Sequence, residues 1–302
     1  MSKQKSTHCS PARYGSKATT LDATGTCLTK DEIVEAAQAT IGLMDGGRFD
    51  ARTLVKRVHE ALGTALGEEG KWAEAPQIAR STLGRKIEKA YRPEHPLEWV
   101  KDSHYWLSNF DIDAVMRQYQ EASPSFRFVG VFPRDFSAPL GATTKGKASK
   151  VCVAEALCNL SIAEEKSKGY DEAGFVLNLD THRGPGTHWT GCYIGMDPVN
   201  KPHRFGFFYY DSVGRQPPKE IREFSSRLAK EASAVFLRAK VPFRVAHNTV
   251  RKQFEDSECG IYSMFFIVSM VQTDLTFDEI CRDVIKRDGA MHGLRRVFFR
   301  PP

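Results

Sequence analysis

Four residues in the second half of the chain have types and spacing suited to acyl transfer. His188-Trp189 begins an apolar, strand-like run through Cys192, Tyr193 and Ile194, and Asp211 closes the next such run, Phe205 to Tyr210. Cys259-Gly260 opens a strongly apolar segment through Ile261, Tyr262, Met264, Phe265 and Phe266. A thiol at a helix N-terminus suits nucleophilic attack, because unpaired N–H groups and the helix dipole favour a thiolate. His188 can hold that thiolate as an ion pair and later protonate a leaving amine, while Asp211 accepts the second ring N–H and fixes the tautomer. Gln253, six residues before Cys259, can donate its amide to a developing oxyanion together with the Cys259 N–H.

Zinc chemistry would draw on His182, His188, Cys192 and His203, but their spacing matches no common ligand frame. Four residues of strand would hold His188 and Cys192 roughly 13 Å apart. No metal and no cofactor is expected.

Chain order separates this set from a chance His, Asp and Cys. The order here is His188, Asp211, Gln253, Cys259, whereas papain-like enzymes place Cys first. His188-Trp189, Asp211 after an aromatic strand, and Gln253-Phe-Glu-Asp-Ser-Glu-Cys259-Gly260 resemble the SUMO-specific protease family and its adenovirus-protease relatives. Trp106-Leu-Ser-Asn109-Phe-Asp-Ile112 resembles that family's opening motif, with Asn109 standing where the family more often has Asp. Asn178-Leu-Asp-Thr-His182-Arg-Gly-Pro-Gly-Thr-His188 and Tyr210-Asp-Ser-Val-Gly214 resemble the versions in proteases of large cytoplasmic DNA viruses.

The resemblance implies a cysteine endopeptidase that cleaves after Gly-Gly-type sites, with viral polyproteins bearing Gly-Gly-X sites as substrates during virion maturation. It places the protein in the host cytoplasm, at the virus factory, and in the virion. Trp106 and Trp189 match tryptophans that close a narrow tunnel over the substrate's last residues, and Asn109 joins them as an expected substrate-binding residue. Two alternatives remain open: an isopeptidase acting on ubiquitin-like proteins, and a non-catalytic module that binds Gly-Gly tails.

Those residues need a scaffold of mixed α+β type, a mixed central sheet flanked by helices, with a helical N-terminal domain. Residues 1–27, rich in Ser, Thr, Lys and Gly, read as a flexible basic arm. In residues 28–96, Thr29 and Glu32 have capping-box spacing, and apolar stripes through Ile33, Ala36, Ala37 and through Leu54, Val58, Leu62 predict helices. A third helix is expected over about 76–91, ending before Pro93 and Pro96. Residues 97–302 form the expected catalytic domain. Strands are predicted near 126–132, 173–179, 189–195, 205–211 and 241–247. Helices are predicted from Ser108 or Asn109, over 150–167, from Pro217-Pro218 to 236, and near 259–272 and 277–287; 138–149 reads as an exposed loop.

The 302 residues, 41% of them hydrophobic, can bury a sizeable core and contain no run of the ~18 apolar residues that a membrane span needs. No membrane partner is expected. The net charge of +6 concentrates at residues 1–30 and 282–302, so nucleic acid is at most a contact of basic termini. Seven cysteines leave at least one thiol unpaired and point to a reducing compartment. Cys152, Cys158 and Cys281 read as core residues on helix faces, and Cys9 and Cys27 show no pairing pattern.

Overall fold

The computed structural model describes residues 8–13, 25–43, 49–140 and 151–301. They divide into two compact units, residues 1–95 with 296–302, and residues 96–295.

In the first unit, Thr29 and Glu32 cap α1 (Lys30–Ile41) reciprocally, and Gly42 ends it in the left-handed conformation. Asp50 caps α2 (Ala51–Leu62) by accepting from the Thr53 N–H. The third helix, α3 (Thr82–Ala90), starts at the Ser81 cap, later than about 76. Residues 76–80 form turns instead, and before them a 3-10 helix, Glu69–Glu74, buries Trp72. Leu54, Val58, Trp72, Leu83 and Ile87 share one core with Ile33, Ala36 and Ala37.

Two expectations about the cysteines are corrected. Cys9 pairs with Cys27 and Cys152 with Cys158, at Cα separations of 5.3 and 6.6 Å, inside the range a disulfide spans. Spacing along the chain carries no trace of the first pair, because folding brings Cys9 beside Tyr91. Cys192, Cys259 and Cys281 are the free thiols. The basic arm is corrected where it is described: Cys9 and Ser10 are buried, the Ser10 N–H donates to the Ala90 carbonyl and Arg13 pairs with Glu32. Most of the rest of that arm and most of the expected 138–149 loop lie outside the described residues.

The second unit is built on a five-stranded sheet in the order β1-β2-β3-β4-β5. The strands are β1 (Phe126–Pro133), β2 (Glu172–Asn178), β3 (Trp189–Gly195), β4 (Gly206–Tyr210) and β5 (Arg244–His247). β1 runs parallel to β2 and β5 to β4, with antiparallel pairs between, so the sheet is mixed. β2 and β4 are buried along their whole lengths, which is why they read as continuous apolar runs rather than as alternation.

Each face of the sheet carries a long helix. Phe175, Ile194, Phe207 and Tyr209 meet Ile221, Phe224 and Leu228 of α7 (Lys219–Val235). On the other face lies α8 (Cys259–Gln272), buried nearly all round, as its unbroken hydrophobicity requires. Gly174 and Gly191 let it approach: a Cβ at either would come within 2.9 Å of Ile267 or of Phe266 and Ser263. Buried Arg204 donates to the carbonyls of Met270, Thr273 and Leu275 and anchors the C-terminal end of α8.

Ser108 caps α4 (Asn109–Ala122), with Asp111 completing a capping box. The helix expected over 150–167 is two short ones, α5 (Glu155–Cys158) and α6 (Ile162–Ser167), the second begun by its own Ser161 cap. The segment expected over 277–287 begins as α9 (Phe277–Glu279) and loosens into a π turn that ends at Val284. A short α10 spans Asp288–Gly293. Among the described residues no helix is long and apolar enough to cross a membrane.

Candidate active site

Sheet register brings the first two candidates together. Gly191 pairs with Tyr210 across the antiparallel β3 and β4, so His188, just before β3, and Asp211, just after β4, are diagonal neighbours on one face. His188 Nε2 lies 2.7 Å from Asp211 Oδ1. Asp211 is fully buried and its backbone is held at two points, with the Asn248 side chain accepting from its N–H at 2.8 Å and donating to its carbonyl at 2.7 Å.

The Gly191 contact with Ser263 sets α8 over β3, and Cys259 lies one turn before Ser263, whose hydroxyl donates to the Cys259 carbonyl. Cys259 is the first residue of α8, where the backbone N–H has no partner within the helix, and is 2% exposed. With Nε2 on Asp211, Nδ1 of His188 is the ring nitrogen left to interact with Cys259. Burial works against a charged ring, but the Asp211 and Cys259 hydrogen bonds and charges outweigh it, raising the His188 pKa to about 9.

His188 therefore keeps its proton through neutral pH. The stability its charge contributes is complete below the ordinary 6.5 and is lost as pH rises through about 9. Peptide cleavage should fall over the same alkaline range, and Asp211→Asn, which removes the charge that supports the imidazolium, should move the fall to lower pH. A kcat/KM profile across neutral and alkaline pH checks this; an alkaline limb that ignores Asp211→Asn would refute it.

Gln253 is 2% exposed and its amide is oriented at both ends. Oε1 accepts from the Ser212 hydroxyl at 2.5 Å, and Nε2 donates to the Glu255 carbonyl at 2.7 Å, leaving one N–H of that amide for another acceptor.

Trp106, Asn109 and Trp189 line one cleft of about 960 Å³ with Leu107, Phe132 and Gly186. Trp189 donates its ring N–H to the Leu107 carbonyl at 3.0 Å, and a Cβ on Gly260 would meet Leu107 at 3.1 Å and Trp189 at 3.4 Å. The loop before α4 thus packs directly on the start of α8. Asn109 is its first helical residue and exposed, and Trp106 is 41% exposed.

Several residues of the site carry no role in the sequence reading. Glu258 is fully buried next to Cys259, with both oxygens on Arg295 Nε at 3.1 and 2.9 Å and one on His292 at 2.9 Å. Arg295 further donates to the carbonyls of Tyr105 and Ser257 and lies 4.2 Å over the Trp99 ring. His104, Glu258 and His292 each offer a ligand atom within 4.8 Å of the others. The carboxylate already accepts hydrogen bonds from Arg295, His292 and Ser257, so we read the group as a hydrogen-bonded clasp. Only Ser212 and Glu258, adjacent in sequence to Asp211 and Cys259, carry a local signal; Asn248, Asp288 and Arg295 carry none. Arg295 and Arg300, the latter paired with Glu94 at 2.8 Å, also show that part of the C-terminal positive charge is used inside the protein.

No family model matches the chain. It is 23% identical to a putative thiol protease of Acanthamoeba polyphaga mimivirus, over 97% of this chain and 93% of that protein. It is 24% identical to a cysteine protease of African swine fever virus, over 61% of this chain and 63% of that protein; counterparts from other isolates bear the name SUMO-1 cysteine protease. A crystal structure of the African swine fever virus protease shares the fold, with a TM-score of 0.61 at 16% identity over 97% of both chains.

Proposed function

For this chain, a viral cysteine protease of SUMO-protease-like type, we propose endopeptidase cleavage after Gly-Gly-type sites in viral structural polyproteins, during virion assembly in the host cytoplasm and in the virion. The observation that carries this reading is the partly buried His188–Asp211 pair beside Cys259 at the N-terminus of α8.

In the proposed mechanism the Cys259 thiolate attacks the scissile carbonyl carbon. The oxygen, now negative, accepts hydrogen bonds from the Cys259 N–H and the Gln253 amide. His188 gives its proton to the departing amine nitrogen as the C–N bond breaks, leaving a thioester. Water, deprotonated by His188, then attacks the thioester carbonyl, the C–S bond breaks to release the carboxylate product, and the thiolate–imidazolium pair is restored. Asp211 holds the ring in register through both steps. Trp106 and Trp189, both lining the cleft, favour glycine because a chain without Cβ atoms can lie flat against indoles.

A peptide series tests the specificity. Replacing the glycine before the scissile bond with alanine should lower kcat/KM by roughly 10–200-fold, the discrimination one added carbon supports in a tight site. Equal cleavage of the glycine and alanine peptides would reject the Gly-Gly reading.

The name SUMO-1 cysteine protease borne by relatives supports a second reading, removal of a ubiquitin-like protein from a conjugate. A ubiquitin-like vinyl sulfone labelling Cys259 faster than a Gly-Gly peptide vinyl sulfone would favour it; the reverse order favours polyprotein cleavage.

A further inference from the structure

We infer that the segment Asp288–Arg295 is a positioning element for the oxyanion site, acting through Asp288 and Arg295. The inference rests on the proposed roles of Gln253 and Cys259. It adds that their two hydrogen-bond donors are each held, one or two residues away, by this segment.

Asp288 is 7% exposed. Its Oδ2 accepts the backbone N–H groups of Phe254 and Glu255 at 2.8 and 3.3 Å, and its Oδ1 lies 3.3 Å from the Tyr262 hydroxyl. Tyr262 in turn donates to the Lys252 carbonyl at 3.0 Å. The Gln253 amide donates to the carbonyl of Glu255, so Asp288 sets where that carbonyl, and with it the amide, stands. A buried carboxylate accepting two backbone donors is a strong, charge-assisted tether.

Arg295 works on the other end of the same loop. It bonds the Ser257 carbonyl at 3.2 Å and both Glu258 oxygens, fixing the two residues that precede the Cys259 N–H. Its third nitrogen, Nη1, donates to the Tyr105 carbonyl at 2.9 Å, in the loop whose Trp106 lines the cleft. One guanidinium therefore ties the start of α8 to a wall of the substrate site. The loop between Gln253 and Cys259 has no regular structure of its own, so its geometry depends on such outside tethers.

The test compares wild type with Asp288→Ala, Asp288→Asn and Arg295→Lys in the full chain. Asp288→Ala should lower kcat by up to about 10²-fold, the scale of a roughly 1 Å misplacement of a reacting geometry, with KM little changed. Affinity for a Gly-Gly peptide aldehyde, whose adduct with Cys259 carries the oxyanion, should fall in parallel. Alkylation of Cys259 by iodoacetamide, a displacement at carbon that develops no oxyanion, should keep its rate. Asp288→Asn retains an acceptor for the two N–H groups and should recover most of the loss.

Unchanged kcat in Asp288→Ala overturns the inference. So does a loss shared equally by alkylation, which marks a merely structural residue. Should Asp288→Ala not fold, Arg295→Lys decides: it keeps the charge beside Glu258 but loses the fork, and kcat and aldehyde affinity equal to wild type would overturn the proposal. Cys259→Ala in the same assay separates the two levels. If it is inactive while Asp288→Ala is normal, only this inference fails; if it is active, the protease reading of Cys259 fails.

Discussion

Cys259→Ala is expected to remove peptide cleavage, with a loss in kcat on the order of 10⁶, the scale seen when a nucleophile is deleted from a group that acts as a unit. The alternatives among the free thiols are chemically poor. Cys192 is wholly buried on the α7 face of the sheet, where burial pushes its thiol well above the ordinary range. Burial likewise pushes Cys281 up to about 12. Both stay protonated at neutral pH, and a protonated thiol is a weak nucleophile. Iodoacetamide at neutral pH should therefore label Cys259 well ahead of Cys192 and Cys281. Hydrolysis of a Gly-Gly-X peptide by Cys259→Ala at a rate close to that of wild type would eliminate this residue as the nucleophile.

Removing the Gln253 amide comes next in size. Gln253→Ala should cost about 10²–10³ in kcat, or ~2.7–4 kcal/mol of transition-state stabilisation, as for loss of one preorganised oxyanion donor. The preorganisation is visible in its partners. The Ser212 hydroxyl engages Oε1 and the Glu255 carbonyl engages Nε2, so the amide cannot turn its oxygen toward the developing charge without breaking both. Gln253→Glu keeps the shape but replaces the donor with an acceptor and should be at least as damaging. Ser212→Ala, which frees one end only, should cost less. Single-turnover kinetics isolate the chemical step; a Gln253→Ala protein with wild-type acylation would remove the amide from the mechanism.

Much of the scaffold is legible in local pattern. Four of the five strands lie within a residue of where apolar runs and turn residues place them, because a buried strand must be apolar and a turn must be polar or glycine-rich; β5, with Arg244 and Val245 exposed, starts at Arg244 rather than near 241. The caps at Thr29 and Ser108 are readable for a similar reason: each bonds a backbone N–H three residues away. The third helix is shorter than its pattern suggests because Ile78, at an apolar position of that pattern, lies in the turn before the Ser81 cap. The segment over 150–167 is two helices rather than one, and Ser161 with Glu164 three residues on is the local signal for the second start. The disulfides escape a sequence reading for a different reason: pairing depends on which Cα atoms folding brings close.

The sequence by itself determined the chemical types and their order, a histidine before one strand, a carboxylate after the next and a thiol at the start of an apolar helix. These follow from interactions between near neighbours in the chain. How they meet depends on contacts between distant parts of the chain. The β3–β4 register sets His188 against Asp211, Gly191 admits α8 at close range, and Arg295 and Asp288 hold the loop before Cys259 from about 30 or more residues away. No local pattern encodes such contacts, since a buried charge far along the chain is stable only once folding has brought its partner to it.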